Sequence, residues 1–394
     1  MGELMTSDGN SVRPGGVDVA LVLAMATLLA IGLIMVYSTT YALGFRLYGN
    51  PNYFLIRQGL WGVVGTAALL IMIRIHYTGW QRISVLVMAG MLLILAVLLI
   101  FGAERFGGRR WFIGGSVQPS ELAKLAVIIY IADWLSSKGE QIRDVTYGLI
   151  PFAILIGVVT GLILLQPDFS TSMLIATTAF AMFFVAGAEV KQLAISFLVG
   201  GLALAILILQ APYRLNRIAV FLDPMSDPSD DGYQIIQTLR ALIRGGATGQ
   251  GLGNSRQKLG ALPAAHTDAI FAVLGEELGL IGGLVVIGLF ALLAYRGFQV
   301  AQGAPDTFGM LLASGVTAWL AFQALINIAV VTSTIPFTGI PLPFISFGGS
   351  SLVTSMAGVG LLLNISKYAA TERDSRTPVR RRDRGARLPS PSRY

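Results

Sequence analysis

The chain has 394 residues and no cysteine. That absence excludes a disulfide framework, a thiolate nucleophile and a cysteine zinc site. Histidine is almost absent too. His76 and His266 are the only two and stand far apart, so a His-rich metal site is excluded. Any bound metal would be a hard cation held mainly by oxygens. Charge is the third scarcity. Charged residues make up 12% of the chain, about half the share of a soluble domain. A water-soluble chain of this length could not cover its surface with so few charges.

What is present fits a polytopic membrane protein. Hydrophobic residues reach 54%, mean hydropathy is +0.71, and the 46 glycines suit transmembrane helices. Ten apolar stretches have membrane-spanning length: 17–38, 57–75, 83–102, 119–136, 147–165, 170–187, 190–210, 270–295, 307–332 and 346–366. The first follows the polar lead Met1 to Gly16 and lacks a small-x-small cleavage site, so it reads as a span and not as a signal peptide. The expected fold is an all-α polytopic membrane helix bundle of about ten transmembrane helices with one long extracytoplasmic loop.

The net charge of +7 is concentrated at the C-terminus. From Lys367 to Tyr394 nine Lys or Arg face three acids, giving +6 and leaving the rest of the chain at +1. This Arg-, Pro- and Ser-rich segment, 367–394, reads as a disordered basic tail with a topogenic role and attraction to anionic lipid. No folded basic surface accompanies it, so nucleic acid is not an expected partner. Ten spans put both ends on one side, and the tail assigns that side to the cytoplasm. Residues 1–16 are then a cytoplasmic N-terminal segment and 17–366 the ten-helix transmembrane domain. Arg105, Arg109 and Arg110 fall outside, against the sorting bias.

The longest loop, 211–269, is expected outside. Within it, residues 232–246 place Ile235, Ile236, Leu239, Leu242 and Ile243 at helical spacing, with Gly245-Gly246 ending the run. Such a helix either lies at the membrane surface or packs on the bundle.

Charges at membrane depth are costly and are functional candidates by default. Glu121 and Lys124 share a helix face at i, i+3, either as a structural ion pair or in a polar cavity opening outward. Arg109 and Arg110 would stand at its mouth, where their forks suit phosphate or pyrophosphate. The alternative is contact with lipid headgroups. Asp168, in Gln166-Pro167-Asp168-Phe169-Ser170-Thr171, suits a helix N-cap. The densest polar run is 249–279. It holds Arg256, Lys258, His266, Asp268, Glu276 and Glu277. Asp268 stands just before a span and is either an N-cap or a reactive carboxylate. Glu276 and Glu277 need protein, water or cation partners, Lys124 or an Arg among them. Pro341 to Ser351 forms a rigid loop entering the last span, with Gly348 to Ser351 suited to close helix packing.

These motifs together resemble the FtsW/RodA (SEDS) family of peptidoglycan glycosyltransferases. The matching residues are Arg109-Arg110-Trp111, Gln118 to Lys124, Gln166 to Thr171, the stretch Gly251 to Gly279, and Pro343 to Ser351. They occur in family order across nearly the whole membrane region. Asn254 to Lys258 and Leu262-Pro263 followed by His266-Thr267-Asp268 are more similar to the division-type FtsW branch, including its sporulation relatives. Ala264, Ala269 and Phe347 depart from the family pattern, which usually has Glu, Phe and Tyr there.

The resemblance implies a multi-pass protein of the bacterial cytoplasmic (inner) membrane with an extracytoplasmic active site. It implies an inverting glycosyltransferase that polymerises lipid II into β-1,4 glycan strands, with a role in cell division. Asp268 matches the family's essential aspartate and is the expected catalytic base. Arg109, Arg110, Glu121, Lys124, Asp168, Arg256, Lys258, His266, Glu276 and Ser350 are the expected substrate-binding residues. No cofactor is required outright, and a divalent cation (Mg or Mn) is a candidate at the pyrophosphate. The implied partners are a class B penicillin-binding protein transpeptidase and other membrane proteins of a division or elongation complex. Two rival readings stay open: a flippase for the lipid-linked precursor, and a non-catalytic division scaffold.

Overall fold

The computed structural model describes residues 16–105, 108–111, 117–228 and 231–376, with side chains of 103–111, 231 and 370–376 excepted. The helices, in chain order, are α1 (Val19–Tyr48), α2 (Tyr53–Arg74), α3 (Tyr77–Arg82), α4 (Ser84–Phe101), α5 (Pro119–Lys138), α6 (Ile150–Leu164) and α7 (Phe169–Val185). They continue with α8 (Val190–Leu209), α9 (Pro212–Leu222), α10 (Asp231–Gly245), α11 (Ile270–Gln302), α12 (Thr307–Val331) and α13 (Gly349–Arg376). Strands β1 (Ala103–Arg105) and β2 (Gly108–Trp111) form a small antiparallel ribbon between α4 and α5.

Each of the ten expected spans coincides with a long helix: α1, α2, α4, α5, α6, α7, α8, α11, α12 and α13. Among the described residues, eight helices are long and apolar enough to cross a membrane by length and composition alone. The other two fall short for visible reasons. Helix α5 carries Glu121, Lys124 and Asp133 along its length, and α7 has only 17 residues. Both are covered by neighbouring helices. From Ala123 to Ile129 every residue of α5 is buried.

The centre of the bundle is α5, α12, α13 and the first half of α11. In α12 and α13 the most apolar windows are 67% and 83% buried, against 11% in α8. Close approach is made with small residues. A Cβ on Gly349 would stand 2.4 Å from the Trp61 ring, and one on Gly360 would stand 2.7 Å from Leu69 O. Thus α13 lies tightly along α2, as expected for small residues at a helix interface.

Three expectations change. Helix α13 continues past Ser366 to Arg376, so the start of the segment read as a disordered tail is helical; residues 377–394 lie outside the described part. Helix α11 is not one straight span. Gly279 takes φ +69° and ψ −169°, breaking the helix. The loop 246–251 fills the break. Gln250 N and Gly251 N donate to Glu276 O and Glu277 O, while Leu280 N and Ile281 N donate to Gly246 O and Ala247 O. The backbone groups freed at depth are thereby satisfied, as a low-dielectric setting requires. Gly279 is therefore buried inside the protein, against the loop that fills the break. Finally, the loop 211–269 holds two helices. Helix α10 matches the expected 232–246 run and packs on α11, where a Cβ on Gly245 would meet Gly275 O at 1.9 Å. Ala241 is fully buried while Ile243 is 78% exposed, so bundle packing selects its face. Helix α9 was not anticipated.

Candidate active site

Helix α11 starts at Ile270 with Ala269 as its N-cap and no side-chain cap bond. Asp268 stands one residue outside and does not cap the helix. The surrounding backbone is clamped by the 340–347 loop. Asn327 Nδ2 donates to Asp268 O at 2.8 Å and to Ile340 O at 2.7 Å. Ser346 Oγ donates to Thr267 O at 2.7 Å and accepts from Leu342 N at 2.8 Å. Phe347 N donates to His266 O at 2.9 Å. The Pro341 to Ser351 motif thus acts by holding residues 266–268 in place.

The Asp268 carboxylate is half-buried. A Cβ on Gly339 would stand 3.3 Å from its Oδ2, so only glycine leaves the space free. Burial pushes the Asp268 carboxyl up to about 7, against the opposing pull of the Arg217 charge and the Thr267 hydroxyl. Such a group exchanges its proton near neutrality, which suits a general base. His266 sits between Phe54 and Phe347, with ring centroids 5.7 and 5.8 Å away, and burial lowers its pKa from the usual 6.5. It is neutral at pH 7.

Glu121 and Lys124 form a closed pair, not the wall of an open cavity. Lys124 Nζ donates to Glu121 Oε2 at 2.8 Å and to Gln323 Oε1 at 2.9 Å, and the two residues are 3% and 5% exposed. The small space beside Lys124 is lined mainly by apolar side chains, Val127, Ile128, Met182 and Trp319 among them, with Thr178 as the other polar residue. The pair is still linked to Asp268. Gln323 and Asn327 are one turn apart on α12, and Gln323 Nε2 donates to Pro341 O at 2.9 Å. One face of α12 therefore carries both contacts.

Asp168 caps α7, accepting from Thr171 N at 3.2 Å, and also accepts from Gln118 Nε2 and Ser120 Oγ, both at 3.0 Å. Ser350 Oγ accepts from Gln118 N at 3.0 Å. Three separated motifs are joined here by direct bonds.

The acids of α11 form another closed network. Lys258 Nζ donates to Glu277 Oε1 at 2.8 Å and to Ser38 Oγ at 2.9 Å, and Ser38 Oγ donates to Glu277 Oε1 at 2.7 Å. Glu276 accepts from the Ser255 hydroxyl and from Arg256 N and Gln257 N. These bonds tie the loop to α1 and α11. The partner of Glu277 is Lys258, not Lys124 or an Arg. Lys258 and Glu276 are committed to this network, whereas the Arg256 side chain is exposed. Arg109 and Arg110 belong to β2, and their side chains lie outside the described part. Among the described residues no three His, Asp or Glu side chains gather as a metal-binding group.

Sequence reasoning missed Arg217, whose charge acts on Asp268. A signal was present: Arg214 and Arg217 are spaced i, i+3 in an amphipathic run that Pro212 opens. Gln323 and Asn327 left no comparable signal in an otherwise apolar span.

Known proteins resemble this chain over most of its length. The FtsW/RodA/SpoVE family model, described as a cell cycle protein, matches residues 19–371. The chain is 42% identical over 356 residues to the stage V sporulation protein E of Bacillus subtilis, covering 89% of this chain and 97% of that protein. A Geobacter metallireducens protein named "Probable peptidoglycan glycosyltransferase FtsW" is 39% identical over 353 residues, covering 89% of this chain and 94% of the relative. Among solved structures, a chain of a peptidoglycan synthase complex that coordinates polymerization and crosslinking aligns with TM-score 0.72 and 32% identity, covering 89% of this chain and 97% of that one. The crystal structure of the Thermus thermophilus rod shape determining protein RodA aligns with TM-score 0.66 and 28% identity, covering 89% of this chain and 96% of that one. The chain is a multi-pass membrane protein, and it belongs to the FtsW/RodA/SpoVE family.

Proposed function

We propose that this chain is an inverting peptidoglycan glycosyltransferase that polymerises lipid II into β-1,4 glycan strands, with Asp268 as the base. The observation that carries the reading is the state of Asp268: half-buried, free of any capping duty, and titrating at about 7. In the reaction Asp268 accepts the proton of the acceptor hydroxyl. The hydroxyl oxygen attacks the anomeric carbon of the donor, and the bond to pyrophosphate breaks with its electron pair on the leaving group. No second carboxylate is needed, because pyrophosphate departs without protonation. A divalent cation would supply charge neutralisation at the departing pyrophosphate, and Asp268 is the carboxylate that would help hold it.

The same reading puts the active site on the outer face of the cytoplasmic membrane, with both termini inside. It assigns a class B penicillin-binding protein as the crosslinking partner and cell division as the process. The test is glycan formation from purified lipid II by equal amounts of monodisperse wild-type and Asp268→Asn protein. Polymer from wild type alone supports the assignment. Near-normal turnover by the variant would remove Asp268 as the base.

A flippase is favoured by one observation, the break of α11 at Gly279. Transporters of that kind use paired broken helices in inverted repeats. Among the described residues α11 alone has such a break. Lipid flipping in proteoliposomes without polymer would reverse the choice.

A further inference from the structure

Helix α9 carries a cation whose charge acts on Asp268 and whose donors are largely unpartnered among the described residues. Arg217 is half-buried and makes no salt bridge among the described residues. Its Nη1 donates to Phe337 O in a long bond of 3.4 Å, and its guanidinium lies 6.0 Å from the Phe337 ring centre. The rest of its fork has no acceptor among the described residues. Arg214, one turn earlier, is occupied. It donates to Leu207 O at 2.6 Å and to the Tyr213 hydroxyl at 2.8 Å, and it lies over Phe169. Two residues beyond Phe337, Gly339 closes on the Asp268 carboxylate. Arg217 and Asp268 therefore meet the same turn, 337–339, from two sides. Their charges act on each other without forming a salt bridge among the described residues, so the Arg217 cation is not neutralised by that carboxylate.

We propose that Arg217 binds the diphosphate of the prenyl-linked donor and holds its charge as the glycosyl bond breaks. This rests on the glycosyltransferase reading above. A planar fork with most of its N–H groups unpartnered among the described residues can span oxygens of both phosphates of a diphosphate, which carries more charge than the phosphodiester of a lipid headgroup. Tyr213, one turn before Arg217 on the same side of α9, is 46% exposed, while Leu215 and Leu222, 40% and 77% exposed, lie on the opposite side of the helix, where they suit contact with lipid chains. A cation at the leaving group is also where electrostatic stabilisation acts on the transition state.

The test uses the full chain in detergent on an Asp268→Asn background, so that binding is read without turnover. The probes are undecaprenyl pyrophosphate, undecaprenyl phosphate, inorganic pyrophosphate and phosphatidylglycerol vesicles. Arg217→Gln should weaken undecaprenyl pyrophosphate binding about tenfold or more, as loss of a charged hydrogen bond predicts, and the monophosphate by less. Arg217→Lys keeps the charge and loses the fork, and should fall between. Unchanged affinity in monodisperse Arg217→Gln would overturn the assignment. So would an equal loss toward phosphatidylglycerol, which would mark a general lipid contact. If Arg217→Gln fails to fold, Arg217→Lys decides, and full diphosphate affinity there would sink the fork.

A second readout tests the coupling of Arg217 to the reacting groups. With Asp268 intact, Arg217→Gln should move the acid limb of the polymerisation pH profile upward, because the cation that restrains Asp268 is gone. An unmoved limb would show that Arg217 does not act at Asp268 and would count against its place at the leaving group. Wild-type protein that binds the diphosphate through Arg217 but makes no glycan would refute the polymerase reading and leave the site standing.

Discussion

Asp268 separates two properties that usually move together, stability and activity. Its carboxyl titrates at about 7 in the fold against 3.8 in the unfolded chain. The folded state therefore holds that proton more tightly, and ionising the group costs stability. This cost grows as pH rises from 3.8 to about 7 and is fully present above that window. Asparagine carries no such cost and abolishes no cap, since Ala269 is the N-cap. Asp268→Asn should melt at a higher temperature than wild type at pH 8, with the gap closing toward about pH 4. Its polymerisation should fall roughly 10²–10⁴-fold. Thermal melts across pH check the first part, and an equal melting temperature at pH 8 would contradict the burial argument. Lys258 and Glu277 behave differently, because their charges are spent on each other and on Ser38. Lys258→Met leaves Glu277 unpaired at 0% exposure and should destabilise the fold by about 3–5 kcal/mol. The double variant Lys258→Met/Glu277→Leu should recover part of that loss. A single variant as stable as wild type would show that the pair is not structural. The Glu121–Lys124 pair was legible from its i, i+3 spacing. Lys258–Glu277 was not, because it is made across a loop that folds back into a broken helix.

At the scale of elements, the ten long helices were legible, and eight of them are long and apolar enough to cross a membrane, because such runs leave few alternatives to a helix there. The interruptions were less visible. Gly279 sits in an apolar run like many of the other glycines, and the pattern alone does not tell a kink from a packing contact. The structure distinguishes them. A Cβ at Gly279 would lie 2.3 Å from Gly249 N and 2.5 Å from Ala247 O, on a backbone at φ +69°. Gly279→Ala should therefore expel the 246–251 loop or straighten α11, at a cost of at least about 1–3 kcal/mol. Limited proteolysis should then cut the 246–262 region faster than in wild type. Unchanged protection would mean the loop does not depend on the break. Helix α9 escaped notice for a different reason. Its eleven residues are too short for a span, and it is an amphipathic run between the apolar α8 and the polar stretch that begins at Asp223. Its two arginines were the available clue, and Arg217 faces the turn that also holds Asp268.

At the scale of the whole molecule, the bundle has a buried half and an open half. The core runs through α5, α12, α13 and the first part of α11, and every motif around Asp268 is anchored to it. The second part of α11 is exposed: Leu280, Ile281, Leu284 and Val285 are 63%, 58%, 55% and 53% accessible. So is α8, where Phe197, Leu198 and Leu202 are 73%, 74% and 62% accessible. Lipid covers both faces by default, and exposure alone does not select a protein partner. The α11 face has one further property. It begins just beyond the Gly279 break, so a helix docked there would press on the segment that holds the 246–251 loop and, through it, the Lys258–Glu277 pair. The expected partner is a single-pass transpeptidase whose transmembrane helix lies along α11 and α12. Photocrosslinkers at Leu280, Leu284 and Tyr295 should capture a co-expressed class B transpeptidase, and those at Phe197 and Leu202 should capture little. Strong capture through α8 with none through α11 would move the interface to the other face. It would also remove the route by which a bound partner reaches the loop around Asp268.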